Sequence, residues 1–380
     1  MTTTIYQNIA RHLDNLPGGY PATESGVKML ILKRLFTPEE AQFATHLTLI
    51  PGKTGGVARR AKMSKEEAAR RLEKMARKGL LIRIEEMPGK PAYMAAQYAI
   101  GIWEFHVNDL DLELIRDMDE YKPYFFQTAW TKPQLRTIPV SQSIHNELNV
   151  MTYERAEALV DDHDCFSISP CICRREKTMV GEGCERPEAY CLGLGIGADY
   201  YIKNELGRAC EKQEILEALV AANDHALVLQ PSDAKEIINV CCCCGCFCAA
   251  LIELKKVPRP VDWVSSPFIV EAHPDNCEGC ETCVDRCQME ALRMVAGKVF
   301  LDADCCIGCG LCVTTCPSGS LTLQRKTEAA QSKIPKDIMA AIIALGKARG
   351  KLGLPELLKL QAKSKWDRLL APRGGVQITV

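Results

Sequence analysis

Several things are scarce in this 380-residue chain, and each scarcity excludes a class of protein. Net charge is almost absent: 47 Lys and Arg stand against 48 Asp and Glu, for a formal −1. That excludes a globally basic nucleic-acid binder while leaving room for local patches. No apolar run approaches the roughly 20 residues needed to span a bilayer as a helix. The first residues, Met1–Leu13 (MTTTIYQNIARHL), lack the basic start, apolar stretch and small-residue cleavage site of a secretory signal, so the chain is expected to be cytoplasmic. Cysteine is missing from residues 1–164 and again after Cys316.

Between those limits, cysteine is abundant. All 21 cysteines lie from Cys165 to Cys316. A compartment that keeps thiols reduced makes disulfides a poor account of so many, and metal or cluster ligation a better one.

The cysteine-free front reads as helices followed by a hairpin. Glu24–Phe36 puts Val27, Leu30, Ile31 and Leu35 on one helical face. Thr37-Pro38-Glu39-Glu40 has the N-cap, first-turn proline and capping-box glutamate of a helix start. Ser64-Lys65-Glu66-Glu67 repeats the signal, opening Ser64–Lys78 with Ala68, Leu72 and Met75 inward and Gly79 as its stop. Leu80–Ile84 and Tyr93–Ile100 are expected strands around a Pro88-Gly89 turn. The order matches a winged helix. Lys53, Arg59, Arg60, Lys62, Lys65, Arg70, Arg71, Lys74, Arg77, Lys78, Arg83 and Lys90 outnumber Glu66, Glu67, Glu73, Glu85 and Glu86, which permits DNA contact. A solvated helix laced with pairs such as Glu67–Arg71, in a module that docks protein, is the competing account, and fold alone does not choose. Glu104–Val160 is read as a connector broken by Pro123, Pro133 and Pro139, with aromatics at Tyr121–Trp130 filling a core or seam.

The strongest signal is a duplicated spacing. Cys277-x2-Cys280-x2-Cys283-x3-Cys287 is followed by Cys306-x2-Cys309-x2-Cys312-x3-Cys316-Pro317. Three thiolates at two-residue gaps wrap one cubane, and the fourth cysteine of each run reaches the other cluster. One [4Fe–4S] cluster is thus expected on Cys277, Cys280, Cys283 and Cys316, and a second on Cys306, Cys309, Cys312 and Cys287. Gly279 and Gly308 occupy matched positions where the backbone must approach the cluster, and Ala291–Val295 and Ser320–Leu323 are matched strands. A zinc ribbon would show paired CxxC knuckles instead. Gln288 stands where proline is common, and Cys305 reads as a bystander.

A second set of thiols lies upstream, at Cys165, Cys171, Cys173, Cys184, Cys191, Cys210, Cys241, Cys242, Cys243, Cys244, Cys246 and Cys248. In an extended Val240–Cys248 run, Cys241 and Cys243 share one face, Cys242 and Cys244 the other, and Gly245 turns the chain to bring in Cys246. One site cannot use them all. A third Fe–S cluster drawn from Cys171, Cys173, Cys184, Cys191 and the Cys241–Cys248 run, with Cys241, Cys243, Cys244 and Cys246 singled out in it, is the preferred expectation, with structural zinc, dithiol redox chemistry or a substrate-facing metal as alternatives. Arg174 and Arg175 place positive charge beside these thiols, or form a surface pair. Gly193–Gly197 (GLGIG) lacks a preceding strand and the dinucleotide spacing, so that role is rejected. Lys212–Ala221 is an amphipathic helix.

The chain resembles an anaerobe family of 4Fe–4S ferredoxin-domain proteins with a winged-helix-like front and a cysteine-rich middle. The likeness rests on LPGGYP at Leu16–Pro21, LFTPEEA at Leu35–Ala41, MARKGLL at Met75–Leu81, CICR at Cys171–Arg174, GEGC at Gly181–Cys184, the Cys241–Cys248 run and CVDRCQM at Cys283–Met289. It implies redox work in anaerobic energy metabolism, names no substrate, and makes Gln288 the family's own form.

The tail, Ile334–Leu370, has a helical pattern. Lys333, Lys336, Lys347, Arg349, Lys351, Lys359, Lys363, Lys365, Arg368 and Arg373 outnumber its acids. It is expected to pack on its own protein, or to meet an anionic membrane surface or an acidic partner.

The expected architecture is α+β: a winged-helix-like domain at 1–103, a connector at 104–164, a cysteine-rich domain at 165–262, a 2[4Fe–4S] ferredoxin-like domain at 263–326 and a basic tail at 327–380. The expected role is relay of low-potential electrons to or from a partner oxidoreductase, as a carrier or subunit rather than a stand-alone enzyme. A redox-responsive DNA-binding regulator and a reductase with a substrate-facing central cluster are the alternatives.

Overall fold

The computed structural model describes residues 2–353, apart from Glu86, Pro88, Asn146 and Glu147. Pro88 of the expected turn and Lys359, Lys363, Lys365, Arg368 and Arg373 of the expected tail therefore lie outside the described residues. Helices and small antiparallel sheets are mixed, and the class is α+β. The chain divides into two units, residues 1–106 with 345–380, and residues 107–344.

The first unit opens with α1 (Thr2–Asn15), which buries Tyr6, Ile9, Ala10 and Leu13. In α2 (Val27–Leu35) the buried arc runs from Val27 through Ile31 and Leu35 to Leu32. The expected inward Leu30 falls on the other shoulder of that arc and is 49% exposed. Helix α3 (Pro38–Ala44) has the full capping box: the Thr37 hydroxyl accepts from Glu40 N–H at 3.2 Å, and Glu40 accepts from Thr37 N–H at 2.9 Å. Next come β1 (Gly52–Lys53), α4 (Thr54–Ala61) and α5 (Lys65–Arg77). Ser64 caps α5 at 3.1 Å, and Ala68, Leu72 and Met75 are buried along it. After Gly79, whose φ of 73° suits a glycine, β2 (Leu81–Ile84) pairs with β3 (Ala92–Ala95), and β1 adds to β3. The return strand stops at Ala95, short of the expected Ile100.

Several basic residues of α5 and the hairpin are paired with acids. Arg70 and Arg71 both reach Glu67, Arg83 reaches Glu73 and Glu85 at 3.0 and 2.6 Å, and Lys78 reaches Glu40 at 2.7 Å.

The second unit begins with α6 (Leu112–Ala129), which runs through Pro123 rather than ending there and buries Tyr121 and Phe125. Packing of its aromatic face outweighs the backbone hydrogen bond that proline removes. After α7 (Ala156–Asp161) come β4 (Phe166–Ser169), α8 (Ile172–Met179), β5 (Cys191–Leu194), α9 (Ile196–Lys203), β6 (Arg208–Ala209), α10 (Lys212–Asp224), β7 (Val228–Pro231), β8 (Asn239–Cys243) and α11 (Ala249–Leu254). The strands form one antiparallel sheet in the order β6-β4-β5-β8-β7. A strand does lead into the GLGIG segment, contrary to expectation, but its neighbours are antiparallel, which is not a βαβ nucleotide-binding unit.

Residues beyond that sheet form two further pairs. Strand β9 (Phe268–Ala272) precedes α12 (Thr282–Arg286), the hairpin β10 (Leu292–Val295) and β11 (Lys298–Leu301), and β12 (Leu321–Arg325), which returns to β9. Their core is Phe268, Val270, Ala291, Leu292, Val299, Leu321 and Leu323, joined by Cys283, Cys306 and Cys312. Helix α13 (Ile338–Ala348) follows.

Candidate iron–sulfur and thiolate sites

The duplicated cysteine runs wind around the β9–β12 and β10–β11 pairs. Cys287, Cys306, Cys309 and Cys312 line one cavity, together with Val270, Gln288, Met289, Ala291, Leu292, Leu301, Ile307 and Leu311. Cys287 comes from the first run and the other three sulfurs from the second. Burial pushes the Cys309 thiol up to about 12, with the Cys287 and Cys306 sulfurs adding to the effect, and burial likewise raises Cys312 well above its ordinary value. In the other set, burial and then the Cys280 sulfur push Cys283 up to about 11, and Cys316 and Cys277 also bear on it. Cys280 is exposed and Cys283 buried, whereas Cys306 and Cys312 are both buried. One quartet therefore has an exposed member, and the other, with two buried and two half-buried cysteines, is the more enclosed.

The surroundings fit thiolate-held clusters. Val299 N–H donates to Cys277 Sγ at 3.3 Å, and Ala291 N–H donates to Cys287 Sγ at 3.2 Å. Ser320 Oγ sits 3.1 Å from Cys316 Sγ; burial raises that thiol, but hydrogen bonds from Ser320 and Ser318 outweigh it and hold it below its ordinary value. Gly308 has φ 68°, and a Cβ there would strike the Phe268 carbonyl oxygen. Arg286 bridges Leu311 O (3.0 Å) and Asn223 O (2.7 Å), with its guanidinium among the charges near Cys309 and Cys312. Cys305 packs beside this core but does not line the cavity.

The upstream thiols are sorted into separate groups. The Cys184, Cys244 and Cys246 sulfurs all lie within 4.8 Å of one another. Strand register sets Cys191 opposite Cys241. Hydrogen bonds from the Cys191 and Cys243 thiols, working against burial, hold Cys241 well below its ordinary value, and Asn239 donates to it at 3.5 Å. Cys243 in turn neighbours Cys248. Cys173 interacts with Cys171, which raises its thiol further than burial does, beside the buried Lys122–Glu176 ion pair. Cys241 and Cys243 share a face, but Cys244 lies past the end of β8 and joins Cys246 rather than Cys242. Cys248, the last thiol of the run, is the N-cap residue of α11.

The two arginines diverge. Arg174 is buried, donates to the carbonyls of Pro187 and Cys242, and lies near Cys244. Arg175 pairs with Glu188 at 2.7 Å and donates to Asn108 at 2.6 Å.

Residues 276–320 match the family model of a 4Fe–4S dicluster domain. Comparison with curated proteins and with solved structures gave no match. The chain thus carries a ferredoxin-type domain that binds [4Fe–4S], and with it an iron–sulfur electron-transfer character. No helix among the described residues is long and apolar enough to cross a membrane.

Proposed function

We propose that this chain relays low-potential electrons to or from a partner oxidoreductase, holding one [4Fe–4S] cluster on Cys277, Cys280, Cys283 and Cys316 and a second on Cys287, Cys306, Cys309 and Cys312. The observation that carries it is the cavity shared by Cys287 and the three sulfurs of the second run. When bound, the clusters supply one-electron transfer. The chain's own residues set the conditions: Cys280 gives the outer quartet an exposed edge for a partner, while the packing of Cys306 and Cys312 keeps water from the inner one. Backbone N–H groups at Val299 and Ala291 and the hydroxyl of Ser320 stabilise the thiolates.

The anaerobic setting follows from the family resemblance. A winged-helix-like front serves here as a protein-docking module, since the arginines at positions 70, 71 and 83 are engaged with acids of the same unit. A DNA-binding regulator is correspondingly less favoured.

The test is iron and acid-labile sulfide per chain on anaerobically purified protein, with EPR of the reduced state. At least about eight irons with interacting S = 1/2 signals are expected; fewer than eight in intact, air-protected protein overturns the proposal.

A further inference from the structure

The cysteine-rich sheet presents a second kind of metal chemistry at the end of β8. The strand stops at Cys243, and the chain turns tightly through Cys244–Cys248, with Cys248 N–H donating to Cys244 O at 3.0 Å. That turn brings Cys244 and Cys246 together. Cys184 arrives from the loop between α8 and β5, some sixty positions away in sequence. The loop is pinned just beyond Cys184: Arg174 holds Pro187 O, Arg175 holds Glu188, and Cys171 N–H donates to Glu188 O at 2.9 Å. Three thiols from two distant segments are thereby fixed within 4.8 Å of one another.

That spacing distinguishes the nuclearity of the metal. Thiolates on one tetrahedral zinc, with Zn–S near 2.3 Å, stand about 3.8 Å apart. Cysteines on a cubane bind different irons, so their sulfurs stand further apart. The same molecule supplies the comparison: among the described residues, neither ferredoxin quartet contains three sulfurs within 4.8 Å, whereas Cys184, Cys244 and Cys246 do.

Charge and exposure fit as well. Three thiolates on a divalent ion leave a net negative charge. Arg186 Nη1 lies 3.4 Å from Cys246 Sγ, and the buried Arg174 bears on Cys244. Cys244 is buried and Cys246 exposed, so one side of the triad is packed and the other faces solvent. A structural zinc is closed by four protein ligands, whereas three ligands with a solvent-facing edge leave a coordination position for an exogenous ligand.

We propose that Cys184, Cys244 and Cys246 bind a single zinc ion whose fourth position is open to water or an incoming soft ligand, separately from the two ferredoxin clusters.

Metal analysis of the anaerobically purified full chain tests this, with iron and zinc read independently so that the ferredoxin assignment stands or falls by itself. About one zinc per chain is expected. Cys246→Ser and Cys184→Ser should each remove most of that zinc while iron stays unchanged. Cys246 is exposed, so its variant spares the core, and an unaltered far-ultraviolet circular dichroism spectrum checks the fold. Cobalt grown into wild-type protein should give intense tetrahedral d–d bands and a sulfur-to-cobalt charge-transfer band, which added 2-mercaptoethanol shifts. A count near twelve irons with about four lost in the Cys184 and Cys246 variants would make the site a third cluster and overturn the proposal, as would a chain with no zinc above background. A cobalt spectrum indifferent to added thiol would overturn the open position.

Discussion

Gln288 and Gly245 interlock. The Gln288 side-chain oxygen accepts from Gly245 N–H at 2.8 Å, and the Gln288 carbonyl oxygen occupies the place where a Cβ on residue 245 would go. Gln288 follows Cys287, and Gly245 stands between Cys244 and Cys246, so this contact joins the inner ferredoxin quartet to the turn of the upstream thiols. It also gives a physical reason for glutamine at a position where proline is common: proline has no side-chain amide to receive the Gly245 N–H.

Gly245→Ala should therefore destabilise the protein by about 1–3 kcal/mol, the range for forcing an extra carbon into a packed site. Gln288→Ala leaves the Gly245 N–H without its partner and should cost about 1–3 kcal/mol. Thermal unfolding under anaerobic conditions, with the rate of iron release followed in parallel, checks both. If Gly245→Ala unfolds at the wild-type temperature, the close approach is not a constraint on the fold.

Arg286 should set the potential of the inner site. Its guanidinium stands near Cys309 and Cys312 and is anchored on Leu311 and Asn223. A nearby positive charge favours the more negative, reduced state. Arg286→Gln should lower the potential by about 30–60 mV, about 0.7–1.4 kcal/mol for a one-electron couple. Arg286→Lys keeps the charge and should recover most of that shift, which separates charge from lost hydrogen bonds. EPR-monitored redox titration reads the difference; equal shifts in both variants would assign the effect to packing.

The sequence exposed what is local and missed what depends on distant packing. The Thr37–Glu40 capping box, the Ser64 cap and the Gly79 stop all involve neighbours within a few residues, so the residue types alone announce them. The duplicated CxxCxxC spacing is legible for the same reason. Leu30 reads as inward because its spacing allows either shoulder of the helix, and only tertiary packing selects Leu32. Pro123 reads as a breaker until the buried face of α6 is known. The grouping of the upstream thiols was illegible because Cys184 and Cys246 meet through the α8–β5 loop, whose anchoring by Arg174 and Arg175 leaves no periodic trace.

Acid should loosen the first unit through Asp14. Its carboxylate accepts from Lys351 at 2.9 Å and from Arg349 at 3.0 Å. Burial would raise it, but hydrogen bonds from Lys351, the Tyr20 N–H and Arg349, with the Lys351 charge, outweigh burial and hold it below its ordinary value of 3.8. A carboxyl depressed on folding stabilises fully above its unfolded value, and that contribution fades as pH falls through the depressed one. The stability difference between wild type and Asp14→Asn should be constant near neutrality and shrink below about pH 4. A difference that does not change with pH would place the effect in packing rather than in the ion pairs.

Cys287 offers the sharpest test of how the two cysteine runs are shared. By position it closes the first run, yet it lines a cavity with Cys306, Cys309 and Cys312. Its Sγ accepts from the N–H of Ala291, the residue just before β10. Cys287→Ala should therefore perturb the inner, buried site and leave the outer one, on Cys277, Cys280, Cys283 and Cys316, with its wild-type signal. Iron from the ferredoxin domain should fall from about eight toward about four per chain, and the magnetic interaction between the two reduced clusters should vanish from the EPR spectrum. Cys316→Ala is the reciprocal variant and should spare the inner signal. If Cys287→Ala instead removes the signal of the surface-exposed site, each run serves its own cluster and the crossed assignment is wrong.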